Sequence, residues 1–126
     1  MNWQNKLIVV AEDEDTNYTL LEQIIKETGA EILRFEDGLS LVNYYNSLET
    51  HNTSLILMDI KMPGLDGIEA LKCVRQRFPD MVVIAQSAYA MKEDIELYKD
   101  TGFNNYLTKP ISPIHLKELL NQYLMS

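Results

Sequence analysis

The sequence predicts an α/β fold: a single domain built on a doubly wound, five-stranded parallel sheet. Three observations predict it. Five apolar, mostly β-branched runs alternate with five segments of helical period. Three of the runs are apolar almost throughout, as strands covered by helices on both faces must be. The chain has 126 residues, 46% of them hydrophobic, enough for one core without disulfide or metal staples.

Residues 1–5, Met1-Asn2-Trp3-Gln4-Asn5, read as a lead-in or the end of a linker, and residues 6–126 as the domain. The first strand covers about Lys6–Ala11. A helix over about Thr16–Thr28 follows, burying Tyr18, Leu21, Ile24 and Ile25 and stopping at Gly29, which can adopt the left-handed C-terminal conformation. Glu31–Phe35 is the second strand, and Gly38–Leu48 a less sharply bounded helix. The third strand, Leu55–Asp59, precedes a helix that starts near Asp66 and ends before Pro79. That helix carries Ile68, Leu71, Val74 and Phe78 on one face, and Asp66 and Glu69 have the spacing of a capping box.

Met81–Ser87 is the fourth strand and Lys92–Thr101 the fourth helix, ended by Gly102. After a fifth strand, Asn105–Thr108, Ser112-Pro113 opens the last helix with a cap residue and then proline at the first helical position. Ile111 and Leu116 have the spacing of a hydrophobic staple, and Leu116, Leu119, Leu120, Tyr123 and Leu124 make the core face.

Net charge is −8, with 19 acidic against 11 basic residues, so a phosphate backbone is repelled over most of the surface and direct nucleic-acid binding is not expected. The single cysteine, Cys73, excludes an internal disulfide and reads as half-buried packing. With no charged-then-apolar leader and no long apolar stretch, no direct membrane contact is expected, and the chain reads as cytoplasmic or as the cytoplasmic part of something larger.

In a doubly wound sheet the ligand site lies beyond the carboxyl ends of the strands. Those ends supply Glu12 and Asp13 after the first run, Asp59 at the third, Ser87 at the fourth and Lys109 after the fifth. Three converging carboxylates repel one another unless a cation offsets them, and a hard divalent ion such as Mg2+ takes oxygen ligands while keeping some of its waters. A lysine and a hydroxyl could then hold the remaining oxygens of an incoming phosphoryl group while Asp59 attacks phosphorus in line.

These residues carry a resemblance. Val9-Val10-Ala11-Glu12-Asp13-Glu14, Met58 to Gly67, Ser87-Ala88 and Gly102 to Pro110 together resemble the response-regulator receiver domain of two-component signalling, over nearly the whole chain. The resemblance implies a flavodoxin-like strand order 2-1-3-4-5 and a signalling module rather than an enzyme. Asp59 would be the phosphoacceptor, charged by a histidine kinase or a histidine phosphotransfer domain. Glu12, Asp13, Asp59 and the backbone carbonyl of Lys61 would bind Mg2+. Ser87 and Lys109 would hold the phosphoryl oxygens, and Tyr106 would turn inward as Ser87 moves, altering the surface of the fourth helix, fifth strand and fifth helix. A cis peptide before Pro110 is also implied.

Two positions depart from the commonest family pattern. Glu12 replaces an aspartate, and so would reach the metal directly or through water. Lys61 and Tyr89 are bulky where small or amide side chains are common, and are expected to lengthen the phosphoryl lifetime by hindering water. The segment Ala11 to Tyr18 resembles receivers of hybrid sensor kinases, with a stand-alone regulator as the alternative. Glu93, Asp94, Lys99 and Lys117 could form a dimer face, or simply a solvated surface.

Rival readings fit less well. A haloacid-dehalogenase-type phosphatase would use Asp13 as nucleophile, but that motif wants threonine where Asn17 stands. An EF-hand beginning at Asp13 would need glycine at Tyr18 and glutamate at Ile24. A receiver-like docking module without phosphorylation is at odds with the intact acidic pair, Asp59, Ser87 and Lys109. His51, in a polar loop, and His115, in a first helical turn, read as solvated and not as phosphodonors.

Overall fold

Each apolar run becomes a strand and each periodic segment a helix in the computed structural model, which describes residues 3–125. In chain order the elements are β1 (Leu7–Ala11), α1 (Asp15–Lys26), β2 (Glu31–Phe35), α2 (Gly38–Asn46), β3 (Leu55–Asp59), α3 (Gly67–Arg77), β4 (Val83–Ser87), α4 (Lys92–Thr101), β5 (Asn105–Thr108) and α5 (Pro113–Leu124). The strands form one parallel sheet in the order β2-β1-β3-β4-β5.

Alternation within the strands divides the core in two. Val9, Ile56, Met58, Val83 and Ala85 face a layer that includes Leu41, Leu71 and Val74 from α2 and α3. Ile8, Val10, Leu55, Leu57 and Ile84 face the other layer, with Leu21 and Ile25 of α1 and Leu116 and Leu120 of α5. Most of these side chains are fully buried, and each of the valines, leucines, isoleucines and Met58 contributes about 1.5–3 kcal/mol of transfer free energy.

The helix ends follow local chemistry. Asp66 caps α3 by accepting the Glu69 amide at 3.0 Å, while the Glu69 carboxylate turns to Lys72, 3.7 Å away. Ser112 caps α5 through the His115 amide, and Gly29 sits at φ 85° beyond α1 as its position predicts. The Lys109–Pro110 peptide is cis.

Several expectations are refined. β4 spans Val83–Ser87, two residues shorter than expected, although the Val82 carbonyl accepts the Ile56 amide at 2.9 Å and Met81 is buried. Tyr18 is half-buried rather than core: its hydroxyl donates to Glu22 and the Arg34 guanidinium lies over its ring. Trp3 of the lead-in packs into the α1/α5 side of the core, its amide donating to the Thr28 carbonyl; Met1 and Asn2 lie outside the described residues. His51 is corrected from a solvated loop residue. It packs against Phe78 with ring centres 4.7 Å apart, and its Nδ1 accepts the Thr53 amide.

Parallel registry brings the carboxyl ends of the strands to one edge. Ala11 stands beside Met58, Asp59 beside Gln86, and Ser87 beside Thr108. The order 2-1-3 sends the connections after β1 and β3 to opposite faces, opening a crevice between those two strand ends.

Candidate functional site

Glu12 follows β1 directly, Asp59 closes β3, Ser87 closes β4 and Lys109 follows β5. Together with Asp13, Lys61 and Tyr89 they line a crevice of about 310 Å³. Carboxylate oxygens of Glu12, Asp13 and Asp59 lie within 4.8 Å of one another. Glu12 and Asp59 are buried and Asp13 is exposed, so two acids form the floor and one the rim.

Lys109 lies across the buried pair. Its Nζ is 3.1 Å from Glu12 Oε1 and 3.1 Å from Asp59 Oδ2. The Lys61 amide donates to the other Asp59 oxygen at 3.3 Å. Glu12 is further held by the Asn17 side-chain amide and the Glu14 backbone amide, while Arg34 Nε donates to its carbonyl at 3.1 Å.

The two buried acids are tuned apart. Burial, then the charge of Glu12 and the hydrogen bond with it, push Asp59 up to about 7, outweighing Lys109. Burial also acts against the Glu12 carboxylate, but hydrogen bonds from Asn17 and Asp59, the Lys109 charge and the Glu14 amide overcome it and leave Glu12 below its usual range. For Lys109, burial opposes the charged form but the two carboxylates prevail, so its pKa is raised. The surroundings thus favour the carboxylate at Glu12 and the neutral acid at Asp59, two groups that share Lys109 and titrate together.

The start of α3 packs closely against the floor. A Cβ on Gly67 would stand 2.3 Å from the Asp59 carbonyl oxygen and 2.9 Å from Ile60 Cα, so only glycine permits this approach. The Gly67 amide donates to the Ile60 carbonyl at 2.9 Å and fixes the turn after Asp59.

At the mouth, Lys61 Nζ lies 4.8 Å from the centre of the Tyr89 ring. Ser87 forms the wall beneath, where its Oγ accepts the Tyr89 amide at 2.9 Å. Tyr106 is half-buried against the α2/α3 side of the core, away from the crevice lining. Lys117, for which the sequence left a dimer face and a solvated surface open, pairs with Glu27 of α1 at 2.9 Å.

Three contributors escaped the sequence reading: Asn17, Arg34 and Tyr98. Asn17 stands five residues beyond Glu12, in a position equally suited to an ordinary first-turn residue. Arg34 comes from β2, and Tyr98 from α4, where its hydroxyl meets Ser87. No local pattern signals either contact.

The oxygen donors at the strand ends are of the kind a hard divalent cation takes, and the adjoining lysine and hydroxyl suit a tetrahedral anion beside it. Comparison with known proteins agrees with this chemistry. The chain is 36% identical over 122 residues to a hybrid signal transduction histidine kinase of Dictyostelium discoideum, matching over 90% of its own length but only 7% of that protein's. It is 33% identical over 121 residues to the polar-differentiation response regulator DivK of Brucella ovis, covering 94% of this chain and 96% of DivK. The receiver domain of a Pseudomonas aeruginosa sensor histidine kinase, solved with magnesium coordinated in its active-site cleft, superimposes with a TM-score of 0.85 at 29% identity, covering 97% of this chain and 99% of that one. The sequence profile described as the response regulator receiver domain matches residues 8–121, and with the five-stranded order and the acidic crevice this establishes that the chain belongs to the response regulator receiver domain family.

Proposed function

We propose that this receiver takes a phosphoryl group onto Asp59 from the phosphohistidine of a histidine kinase or histidine phosphotransfer domain. The observation that carries the reading is the pairing of Lys109 with both Asp59 and Glu12 inside a cluster of three acids. Deprotonated Asp59 attacks phosphorus in line; the P–N bond breaks and its electron pair returns to the donor imidazole. Lys109 balances the charge on the transferred oxygens, and the Ser87 hydroxyl donates to one of them.

Glu12, Asp13, Asp59 and the Lys61 carbonyl are the groups that would hold Mg2+, which supplies charge neutralisation at the phosphoryl oxygens. Phosphorylation would draw Ser87 inward, let Tyr106 turn into the space it leaves, and so alter the α4–β5–α5 face. That face is also where a second copy would dock. Lys61 and Tyr89 would guard the acyl phosphate from water.

The test is incubation with acetyl phosphate and Mg2+. One acid-stable, base-labile phosphoryl group should appear and be lost in Asp59→Asn; retention of label in that variant, or its loss in Asp13→Asn alone, would overturn the assignment.

The setting we favour is the receiver of a hybrid sensor kinase on the cytoplasmic side, supported by the resemblance of Ala11 to Tyr18 and by two kinase-borne relatives. A stand-alone regulator is the second reading, favoured by the full-length match to DivK. Whether a kinase module is encoded in frame upstream decides between them.

A further inference from the structure

Among its described residues α4 buries only Tyr98, 4% exposed, in an otherwise strongly polar helix. Its ring meets Phe103 edge-on, with centres 6.2 Å apart. Its hydroxyl donates to Ser87 Oγ at 2.8 Å, with a longer 3.3 Å contact to the Tyr89 carbonyl. The anchor of α4 is thus tied to the hydroxyl that walls the phosphoryl crevice.

A serine hydroxyl has two lone pairs and one proton. Here both lone pairs are engaged, one by the Tyr98 hydroxyl and one by the Tyr89 amide. The proton is what remains to donate, and Ser87 lines the crevice. A hydroxyl that accepts from a phenol is also a better donor, because chained hydrogen bonds polarise one another.

We propose that Tyr98 is a positioning residue for phosphoryl binding, its buried hydroxyl orienting the Ser87 proton toward the crevice and tying α4 to the occupancy of that crevice. The inference rests on the phosphoacceptor reading above. Inward movement of Ser87 stretches the 2.8 Å bond and leaves the Tyr98 hydroxyl with only its longer contact to the Tyr89 carbonyl, a loss that favours movement of Tyr98 with Ser87. Because Tyr98 is the buried hold of α4, the helix follows.

The experiment uses beryllium fluoride with Mg2+, which forms a tetrahedral phosphoryl mimic on a carboxylate. Tyr98→Phe keeps the ring and removes the hydroxyl. Beryllium fluoride binding should weaken about five-fold, the scale of one neutral buried hydrogen bond, while Mg2+ affinity measured alone stays unchanged, because no magnesium group touches Tyr98. In the Ser87→Ala background the same substitution should have no further effect, and the amide resonances of α4 that shift on binding in the wild-type protein should shift less in Tyr98→Phe.

Unaltered or tighter binding by Tyr98→Phe overturns the proposal, tighter binding meaning that Tyr98 holds Ser87 back instead. So does a parallel loss of Mg2+ affinity, which marks general distortion, or an undiminished effect in the Ser87→Ala background. If the wild-type protein fails to bind beryllium fluoride, the phosphoacceptor reading falls and takes this one with it.

Discussion

The Lys61 ammonium lies over the Tyr89 ring, 4.8 Å from its centre, and joins the loop after β3 to the loop after β4 across the mouth of the crevice. Both side chains are exposed, so the contact is a weak one, worth about 0.5–1 kcal/mol. On the proposed phosphoacceptor reading, the pair stands over a crevice that hydrolytic water would have to reach. Lys61→Asn and Tyr89→Ala should each speed dephosphorylation by about two- to five-fold, the rate equivalent of an exposed cation–π contact. The double variant should add little beyond either single change. Loss of label from purified phosphoprotein measures the rates, and unchanged rates would remove the pair from any role in lifetime.

Stability of the metal-free protein should fall as pH rises toward neutrality. Asp59 titrates at about 7 when folded against its ordinary 3.8, so between those values the folded state holds the extra proton. Its contribution is complete below the unfolded value and disappears as pH passes through the folded one. Asp59→Asn cannot ionise, and should exceed the wild-type protein by about 1 kcal/mol or more, a few degrees in Tm, at pH 8 but not at pH 4. Thermal melts in chelator at the two pH values provide the check.

Mg2+ affinity should carry the same signature with opposite slope. A metal requires the carboxylate, so binding displaces the Asp59 proton, and affinity should rise by about tenfold per pH unit below pH 7 and level above it. Calorimetry in buffers of different ionisation enthalpy counts the protons released. Release of none at pH 6 would contradict a protonated Asp59.

Removing Lys109 leaves two buried carboxylates facing each other. Lys109→Ala should lose about 2 kcal/mol in urea unfolding at pH 7.5, the scale of a charged hydrogen bond. Glu12 is depressed below its ordinary 4.5 when folded, so this stabilisation is present above that value and lost as pH falls through the folded one. The gap between variant and wild type should therefore persist through Glu12's ordinary 4.5 and narrow only as pH falls further, through the depressed folded value.

Gly67→Ala should cost about 2 kcal/mol or more, because its methyl would meet the backbone of Asp59 and Ile60 rather than a yielding side chain. Mg2+ affinity should fall with it, since the Asp59 backbone must shift. A variant of wild-type stability and affinity would show that α3 does not brace the site.

Much of this molecule is written in local pattern. Alternation of apolar runs with helical segments determined the class of fold, because a strand buried on both faces cannot afford polar side chains. Ser112-Pro113, Gly29 and Asp66 marked helix ends, since capping satisfies backbone groups within a few residues. Glu12, Asp13, Asp59, Ser87 and Lys109 were legible because each stands at the carboxyl end of a strand, and parallel strands bring those ends to one edge.

Tertiary structure alone decided the rest. That Asn17 and Arg34 steady Glu12, that Tyr98 reaches Ser87 from another element, that Gly67 abuts Asp59, and that His51 lies against Phe78 are contacts across the fold with no periodic trace in the chain. So is the separation of the two buried acids, Asp59 pushed up and Glu12 held down. The difference arises from burial and from which donor happens to face which carboxylate, and both quantities come into being only when distant segments pack.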